Sequence, residues 1–428
     1  MIHGRFCHRR AGLFLAAGGL LLLAGICHGQ EALRLSMSGD LAAAQQQQAN
    51  TTIGYYNLLL GPTAWQFSSG LGLSFDDNVR LQENGESDLI VQPSVTTQMH
   101  WPLTLKNSLN VSLGVGYSEY LQHQDLSQFF INPGSGLAFN IYIGDFKINL
   151  HDQISITEYA YQNPGASGAN QNLVSLQNTA GVGALWDLNK AVVNAGYDHA
   201  NYISLSQNQG EPDAASENLY GNAALRVRPE LLLGVEAGGT LITYDNSTAA
   251  YAALSPNATQ WSAGFLGSDQ ISDYMSIRAD AGYTVYTPDN TSSNLVTSDT
   301  SGFYLSLSLS HQVNRFLSYT LSAGRSTDLA AYGQAQSYYF VRLNPTWNLF
   351  KKYGLSTPFW WQQGTRIYNY QAGGIADYQQ IGLGVTVSRQ VTQKLSASVG
   401  YQFIDETSNQ AGLIYTVNIV DLNLTYRF

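Results

Sequence analysis

Apolar and polar residues alternate one for one in short stretches along most of the chain. Residues 303–310 read FYLSLSLS, and after the turn-like sequence QVNR the alternation resumes at residues 317–323, which read LSYTLSA. The same pattern returns in residues 381–389 and 395–403. Because successive side chains of a β-strand point to opposite faces, this alternation predicts strands with one apolar and one polar face, joined as hairpins.

The connections between these stretches are of two kinds, which alternate along the chain. Eight are short and nine are longer and more polar, so the pattern predicts eighteen strands. An even number of antiparallel strands with short turns at one end and longer loops at the other is typical of outer-membrane barrels. The predicted fold class is therefore all-β: a transmembrane up-and-down antiparallel β-barrel of about 18 strands, with about 16 as the alternative, short periplasmic turns and longer extracellular loops.

Composition and the placement of lysine agree with this prediction. Charged residues make up only 12% of the chain, which favours strands and turns over solvent-exposed helices. The lysines fall at or beside the predicted short turns: Lys106, Lys147, Lys190, Lys351, Lys352 and Lys394. A lysine facing lipid at mid-membrane would cost about 2–4 kcal/mol, a cost that falls close to zero at the interface. The alternative is a soluble β-sandwich, in which the aromatic residues near the strand ends would form the core.

The first 29 residues have the features of a secretory signal peptide. Arg5, Arg9 and Arg10 precede a short apolar stretch, and Cys27 and Gly29 occupy the −3 and −1 positions of a small-residue cleavage site. Cleavage at this site would remove three of the 20 basic residues and both cysteines, and would leave a net charge of −13. Such a mature chain would have no disulfides, and its acidity argues against a nucleic-acid partner. The alternative is a retained membrane anchor, for which the apolar stretch is short.

Residues 30–62 do not alternate and contain a run of glutamines. We interpret them as a periplasmic N-terminal arm, which either stays flexible or folds back as a plug. The barrel is predicted to span residues 63–428. We expect the chain to cross the inner membrane with its signal peptide and to insert into the bacterial outer membrane.

The final strand-like stretch reads VDLNLTYRF. Apolar residues occupy every second position: Val420, Leu422, Leu424, Tyr426 and Phe428. The stretch resembles the C-terminal signal by which the barrel-assembly machinery recognises Gram-negative outer-membrane barrels. The resemblance implies that this machinery is a partner. By the alternation, the five apolar side chains face lipid, while Asp421 and Arg427 face the lumen.

A second resemblance covers residues 58–100. Within it, LSFDDNVRLQENGESDLIVQPSV at residues 73–95 looks like the first hairpin of the β-barrel porins grouped as porin family 2. The matching residues are Phe75, Asp76, Asp77, Asn78, Val79, Ser87, Asp88 and Pro93. That family includes barrels associated with exopolysaccharide biosynthesis and secretion. The resemblance implies an outer-membrane barrel surrounded by lipid and lipopolysaccharide, with polysaccharide secretion components as partners.

The polar phase of the strands predicts a mildly basic lumen. The charged residues predicted to line it are Arg226, Glu236, Arg278, Asp280, Arg342, Arg366, Asp421 and Arg427. Guanidinium groups in a channel wall favour anions and sugar acids. In an equally supported alternative, Arg278 pairs with Asp280 and Arg226 pairs with Glu236, and these ion pairs only fill the barrel. We expect no connection to fold inward as a constriction, since none is long.

The first predicted loop carries a cluster of acidic and amide side chains. Its members are Asp76, Asp77, Asn78, Glu86 and Asp88. One interpretation is a site for Ca²⁺, or for divalent ions that bridge lipopolysaccharide. The interpretation we prefer is a solvated turn stabilised by local hydrogen bonds. We predict neither a metal site nor a cofactor.

Two acid–histidine neighbours raise the question of catalysis. Asp198 is adjacent to His199, and His151 is adjacent to Asp152. Adjacent strand residues point to opposite faces, so only Asp198 and His151 face inward and neither pair forms a dyad. Asp152 then faces lipid, unless a bulge shifts the register. Since no hydrolase motif is present either, the chain is predicted not to be an enzyme.

These patterns together predict a porin-like outer-membrane channel for hydrophilic solutes. A more specific prediction is that this channel is a conduit for the secretion of an anionic exopolysaccharide. The alternative is a structural barrel, or one that binds a glycan or a partner, without an open pore. Small inward side chains such as Ser306, Ser308 and Gly382 favour a cavity over a filled lumen.

Overall fold

The computed structural model of the protein describes residues 56–158, 174–205, 213–245, 257–289, 300–329, 335–349, 352–369, 374–410 and 413–428. The predicted signal peptide and the arm as far as residue 55 lie outside these residues. The described residues contain a single sheet of twenty strands. In chain order they are β1 (Leu58–Leu60), β2 (Thr63–Asp76), β3 (Asp88–Pro102), β4 (Ser108–Tyr120), β5 (Gln128–Ile143), β6 (Phe146–Glu158), β7 (Val174–Asp187), β8 (Ala191–Ser204), β9 (Ala214–Arg226), β10 (Leu231–Tyr244), β11 (Ala258–Ser272), β12 (Met275–Pro288), β13 (Thr300–Gln312), β14 (Leu317–Leu329), β15 (Ala335–Leu349), β16 (Tyr353–Ser356), β17 (Phe359–Asn369), β18 (Gly374–Gln390), β19 (Leu395–Ser408) and β20 (Tyr415–Arg427).

A short 3₁₀ helix at Gln124–Leu126 lies between β4 and β5. Across the part of the chain that the structure describes, we find no helix with the length and apolar character needed to cross a membrane.

The sheet closes on itself, because β20 pairs with β2 from Ser68 opposite Arg427 to Asp76 opposite Ile419. All the pairings are antiparallel, and from β2 onward each barrel strand pairs with the next one along the chain. Closure removes the free edges that an open sheet would expose. The up-and-down connectivity predicted from the sequence is therefore confirmed.

The barrel has eighteen strands, although the sheet has twenty segments. β1 pairs only with the beginning of β2. β16 and β17 are two halves of one barrel strand, since both pair with β15 on one side and with β18 on the other. Pro358 lies at the interruption and Pro345 lies on the facing strand, and a proline has no N–H to donate to the ladder. The predicted count of eighteen is confirmed.

Short and long connections alternate around the barrel as predicted. Two residues, Gly144 and Asp145, connect β5 to β6, and two residues, Asp273 and Tyr274, connect β11 to β12. At the other end, β2 is joined to β3 by residues 77–87 and β10 to β11 by residues 245–257. We refer to these two ends as the short-turn end and the long-loop end.

The outer face of the barrel is apolar and exposed. On β20 the exposed residues alternate along the strand, with 37–49% exposure: Val420, Leu422, Leu424, Tyr426 and Phe428. Leu305 and Leu307 on β13 are likewise exposed. Their intervening neighbours Ser306 and Ser308 lie on the inner face. The apolar phase of the sequence thus covers the outside of the barrel, and the polar phase lines its interior.

Burial along the inner face changes from one end of the barrel to the other. On β10, Leu232 and Gly234 near the short-turn end are half-exposed, whereas Thr240, Ile242 and Tyr244 near the long-loop end are buried. β2 and β20 show the same change. The interior is therefore accessible from the short-turn end and closely packed at the long-loop end.

Candidate functional site: the inner wall and the inward-folded first loop

Residues 77–87, which we call the first loop, fold into the barrel. Val79 and Leu81 within this loop retain only 4% and 3% exposure. The expectation that no connection folds inward is therefore wrong. Its basis was loop length, but two apolar residues in an otherwise polar loop are sufficient to draw the segment out of water.

Two apolar clusters hold the first loop against the wall. Leu81 belongs to a buried cluster with Ile404, Tyr415, Val417 and Ile419, which come from β19 and β20. The other anchor, Val79, packs with side chains from β3, β4 and the 3₁₀ helix, namely Ile90, Tyr120 and Leu126. The loop thus spans the inner surface on both sides of the seam between β20 and β2. Its bulk narrows the long-loop end of the barrel.

The backbone of the first loop is fixed by its polar residues. Asp76 accepts a hydrogen bond from the Asn78 N–H at 2.8 Å, and the Asn78 side chain accepts from the Gln82 N–H at 3.0 Å. Asn78 also donates to the carbonyl of Thr416 on β20 at 3.1 Å. Leu81 has φ of 53°, a left-handed conformation that side chains rarely adopt. These bonds hold Leu81 in that conformation.

Asp77 continues the seam beyond the last paired residues of β2 and β20. Its carboxylate accepts from the Asn418 N–H at 2.6 Å and from the Asn418 side-chain amide at 2.7 Å. The Asp77 N–H in turn donates to the Asn418 carbonyl. Asp77 therefore extends the closure of the barrel into the first loop.

Asp88, at the start of β3, is fully buried and holds the next connection in place. Its carboxylate accepts from the backbone N–H groups of Gln122 and His123, the latter at 2.8 Å. The His123 ring bridges two acids, with Nδ1 3.0 Å from Asp88 and Nε2 3.0 Å from Glu86. Residues 121–127 are thereby tied to the first loop.

Arg80 is the ionic centre of the same region. It lies 3.1 Å from Glu86 and 2.7 Å from Asp125, and both carboxylates are more than half exposed. The hydrogen bond from Arg80 lowers the pKa of the Asp125 carboxyl below its usual value. The Arg80–Asp125 ion pair thus attaches the first loop to residues 121–127 on the side that faces solvent.

The acidic cluster predicted in the first loop has the predicted local hydrogen bonds, from the Asn78 N–H to Asp76 and from the Gln82 N–H to Asn78, but it is not a solvated turn. Asp76 and Asp88 are buried, and each carboxylate is engaged by a different set of protein donors. Among the described residues, no group of three or more acidic, histidine or cysteine side chains could hold a metal ion. The cluster holds the loop in place.

Three of the arginines predicted to line the lumen share one rung of the sheet. The rung crosses β9 to β15 through Arg226, Leu232, Ser268, Arg278, Ser308, Ser322 and Arg342. Neighbouring strands are about 4.8 Å apart, so successive arginines are about 14 Å apart along the rung. Barrel strands tilt by about 35–45°, so the rung climbs the wall from the short-turn end. Arg226 accordingly ends β9, whereas Arg342 lies well inside β15.

Arg226 does not pair with Glu236. It donates to the carbonyl of Asn189 and lies 3.5 Å from the Asp187 carboxylate, so it links two adjacent short turns. Glu236 lies farther along the wall and is buried, where it accepts a hydrogen bond from the Tyr304 hydroxyl at 2.6 Å.

Arg278 forms the predicted ion pair with Asp280, at 3.2 Å. Arg342 instead lies over the ring of Phe340, with its Cζ 5.2 Å from the ring centroid. Within the described residues, neither Arg342 nor Arg427 has a carboxylate within ion-pair distance. Among the arginine side chains that the structure describes on the inner wall, these two have no ion pair.

Asp421 lies on the inner face of β20, opposite Ser74 on β2 and Gly400 on β19. Arg366 lies in β17, but its side chain is outside the described part.

Aromatic rings lie flat against the inner wall above glycines of neighbouring strands. A Cβ at Gly282 or Gly264 would lie 2.4 or 2.1 Å from the Tyr304 hydroxyl. A Cβ at Gly196 would lie 2.3 Å from the Tyr220 hydroxyl. The missing side chains make room for the rings, so the rings extend along the wall and project little into the lumen.

His151 and Asp198, which the sequence places 47 residues apart, are hydrogen-bonded on the inner wall at 3.0 Å. They meet across β7 at Gly181, whose side chain would otherwise lie between them. The other ring nitrogen of His151 is 3.0 Å from the Asn149 oxygen. Sequence reasoning missed this pair, because only the strand register brings the two residues together. Each ring nitrogen of His151 thus has a polar partner on the inner wall.

Asp152 remains on the outer face, although a bulge does occur in β5 between residues 131 and 135. It accepts a hydrogen bond at 2.6 Å from Asn178, which lies on the outer face of β7. A second outward polar pair joins His199 to Glu217 at 2.9 Å. Outward polar groups are thus paired with each other, which lowers the cost of placing them on an apolar face.

Comparison with known proteins gives only distant likenesses. No family model and no curated protein matches the sequence. Similar solved structures include OccK5 (OpdH) of Pseudomonas aeruginosa, at 10% identity over 86% of this chain and 98% of that chain, with a TM-score of 0.48. The outer membrane protein opdK of P. aeruginosa has 10% identity over 85% and 98%, with a TM-score of 0.47. OccAB2 of Acinetobacter baumannii has 11% identity over 86% and 98%, also with a TM-score of 0.47. These values are too low to assign any property of those proteins to this chain.

Proposed function

We propose that the protein is a porin-like channel of the bacterial outer membrane for hydrophilic solutes. The observation that carries this proposal is a closed barrel of eighteen strands with an apolar, exposed outer face and a polar inner wall that is accessible from the short-turn end. A barrel of this size encloses an aqueous channel unless something fills it. The short turns would face the periplasm, and lipid and lipopolysaccharide would surround the outer face.

The first loop sets the width of such a channel at its long-loop end. It is held by the buried anchors Val79 and Leu81 on the inside and by Arg80 on the solvent side. A solute entering from the short-turn end therefore meets a wide polar lumen before it meets the narrowed mouth.

The preferred solutes would be anions. Arg226 and Arg278 each lie beside a carboxylate, but Arg342 on the same rung has no carboxylate partner among the described residues. A guanidinium presents a fixed fork of donors that matches a carboxylate. More specifically, we propose that the channel is a conduit for an anionic exopolysaccharide. Polysaccharide secretion components would be its periplasmic partners. The barrel-assembly machinery would be its partner during insertion into the membrane.

Planar-bilayer recording of the refolded protein tests the channel. We expect discrete conductance steps, and a reversal potential in a salt gradient that indicates preference for anions. The same recording without residues 30–55, the part of the predicted arm that lies outside the described residues, determines whether that part contributes. Absence of conductance from both proteins would refute the channel, and preference for cations would refute the role given to the arginines.

One observation favours the alternative of a barrel without an open pore. The inner face at the long-loop end is closely packed, and Tyr244, Tyr378 and Tyr415 there are less than 10% exposed. Uptake of sugars of graded size into liposomes distinguishes the two functions. A channel admits small sugars and excludes large ones, whereas a closed barrel admits none.

A further inference from the structure

Arg342 lies in a compact group of side chains that the channel proposal does not by itself explain. Directly opposite Arg342 on the next strand is Trp360, and Phe340 is likewise opposite Gln362. The four residues lie on the inner face, at two successive inward positions of β15 and β17 that are about 7 Å apart along the strand. An aromatic surface, a guanidinium and an amide thus lie together on the wall.

The indole of Trp360 lies flat against the wall. A Cβ on Gly382, the residue opposite Trp360 on β18, would lie 1.9 Å from two carbons of the ring. Only a glycine leaves room for the ring in this position. Trp360 packs against the cluster that contains Leu81. Trp360 remains partly exposed, so part of the ring is open to the lumen.

A relay of hydrogen bonds fixes the orientation of the amide. Glu406 is fully buried and accepts from the Gln380 amide nitrogen at 3.2 Å and from the Tyr415 hydroxyl at 3.1 Å. The Gln380 oxygen therefore points the other way and accepts from the Gln362 nitrogen at 3.0 Å. These bonds hold Gln380 with its amide nitrogen toward Glu406 and its oxygen toward Gln362. Gln362 then directs its oxygen and its second N–H away from the relay.

The guanidinium of Arg342 completes the group. Its Cζ lies 5.2 Å from the Phe340 centroid, and this stacking holds the side chain against the wall. Arg278, on the same rung, is neutralised by Asp280 at 3.2 Å. Arg342 has no such partner among the described residues, and its positive charge is available to an anion.

We propose that Phe340, Arg342, Trp360 and Gln362 form a binding site for a sugar unit that carries a carboxylate. The carboxylate would accept hydrogen bonds from Arg342, and the C–H groups of the sugar ring would pack on the indole of Trp360. Gln362 can both donate to and accept from the sugar hydroxyl groups. A bare inorganic anion would use the arginine alone, and a neutral sugar would leave the guanidinium unmatched. The inference rests on the proposed channel, whose substrate class it narrows to uronates.

Calorimetric titration of the detergent-solubilised barrel with D-glucuronate tests the site, with D-glucose and benzoate as comparison ligands. Glucuronate should bind at least about tenfold more tightly than glucose, because a hydrogen bond to a charged group contributes more than a neutral one. Binding of glucose as tight as that of glucuronate would overturn the role of Arg342. Benzoate offers a carboxylate and a flat ring without hydroxyl groups, so equal binding of benzoate would overturn the assignment to a sugar.

Variants separate the site from a general effect of positive charge. Arg342→Gln and Trp360→Leu should each weaken glucuronate binding by about tenfold or more. Arg427→Gln is the matched control, since Arg427 also lacks a carboxylate partner in the described part but lies at the short-turn end. Equal losses in Arg342→Gln and Arg427→Gln would overturn the site. Heat-modifiable migration on gels verifies that each variant is folded.

Conductance of the same preparations keeps the two proposals apart. A barrel that conducts but does not bind glucuronate overturns the site and leaves the channel. A barrel that binds glucuronate with the expected losses in the variants, but does not conduct, supports the site and overturns the channel.

Discussion

The backbone N–H of Phe428 donates a hydrogen bond to the carbonyl oxygen of Phe67 at 3.2 Å. The Asn57 side chain meets the same residue of β2, donating to that carbonyl at 3.3 Å and accepting from the Phe67 N–H at 3.1 Å. β1 then pairs with Thr63–Trp65, the part of β2 that β20 does not reach. The edge of β2 is thus covered by two different segments, which meet at Phe67.

Deletion of Phe428 should impair assembly of the barrel. The deletion removes a hydrogen bond of the seam and an exposed ring that contacts Tyr426 edge to face at 5.4 Å. We expect less heat-modifiable, membrane-inserted protein from cells that express the deletion variant. Arg427→Ser is the control, since Arg427 faces inward and its backbone pairing remains. Normal amounts of inserted barrel from the deletion variant would contradict the prediction.

Leu81→Ser should widen the mouth of the channel. Leu81 is 3% exposed, and truncation of a buried leucine costs about 2–5 kcal/mol, which is enough to release the first loop. Single-channel recording should show a larger conductance or frequent transitions to a larger one. Leu105→Ser is the matched control, because Leu105 lies in a short turn and is fully exposed. If both variants conduct like the original protein, the first loop does not limit the channel.

Acid should release the first loop from residues 121–127 through Asp125. Because the hydrogen bond from Arg80 lowers the pKa of Asp125 in the folded state, the contact is complete above the usual pKa of 3.8 and is lost as the pH falls through the folded value. Pepsin cleavage within residues 77–87 measures this release. Asp125→Asn should be cleaved faster than the original protein at about pH 4, and the difference should shrink as the pH falls further.

The two proteins are compared at each pH, so changes in the activity of pepsin itself cancel. A ratio of cleavage rates that stays constant over this range would show that protonation of Asp125 does not control the loop.

The alternation of side chains was sufficient to predict the barrel, since a strand with one apolar face has few other ways to bury its backbone groups in a membrane. Eighteen strands and their alternating connections follow from counting hairpins. The fate of the first loop does not follow from counting. Val79 and Leu81 mark it in the sequence, but the surfaces that receive Leu81 come from β19 and β20, at the other end of the chain.

The candidate site was predictable only in part, for the same reason. The inward phase of Arg278 and Arg342 follows from the alternation within each strand. Their common rung depends on the register of seven strands, and the sequence does not specify that register. Likewise, nothing local indicates that Arg226 bonds to an adjacent turn and not to Glu236.

The Tyr220 side chain lies over Gly196, so the effects of substituting these two residues on stability should be strongly coupled. A Cβ at Gly196 would lie 2.3–2.7 Å from the hydroxyl oxygen and two ring carbons of Tyr220. Gly196→Ala should therefore lower the free energy of unfolding by about 1–3 kcal/mol, measured by urea denaturation in detergent micelles. The same substitution in a Tyr220→Ser background should cost far less, since the ring has been removed. Gly183→Ala is the control, because its nearest neighbour would be 3.8 Å away. Additive effects of the two changes would contradict the coupling.

Asp152 and Asn178 share a hydrogen bond, and substitutions of the two residues should have opposite effects on the stability of the barrel. Asn178→Leu leaves the Asp152 carboxylate on the apolar outer face without the donor it has at 2.6 Å, and should destabilise the barrel by about 1–3 kcal/mol. Asp152→Leu removes the charge itself and should be neutral or stabilising, because the outer face of a membrane barrel disfavours acidic side chains. The double variant should be more stable than Asn178→Leu alone, since no carboxylate remains to be satisfied. Urea unfolding in lipid vesicles measures all three. A double variant no more stable than Asn178→Leu would mean that Asp152 is satisfied by water, and that this part of the outer face lies beyond the apolar region of the membrane.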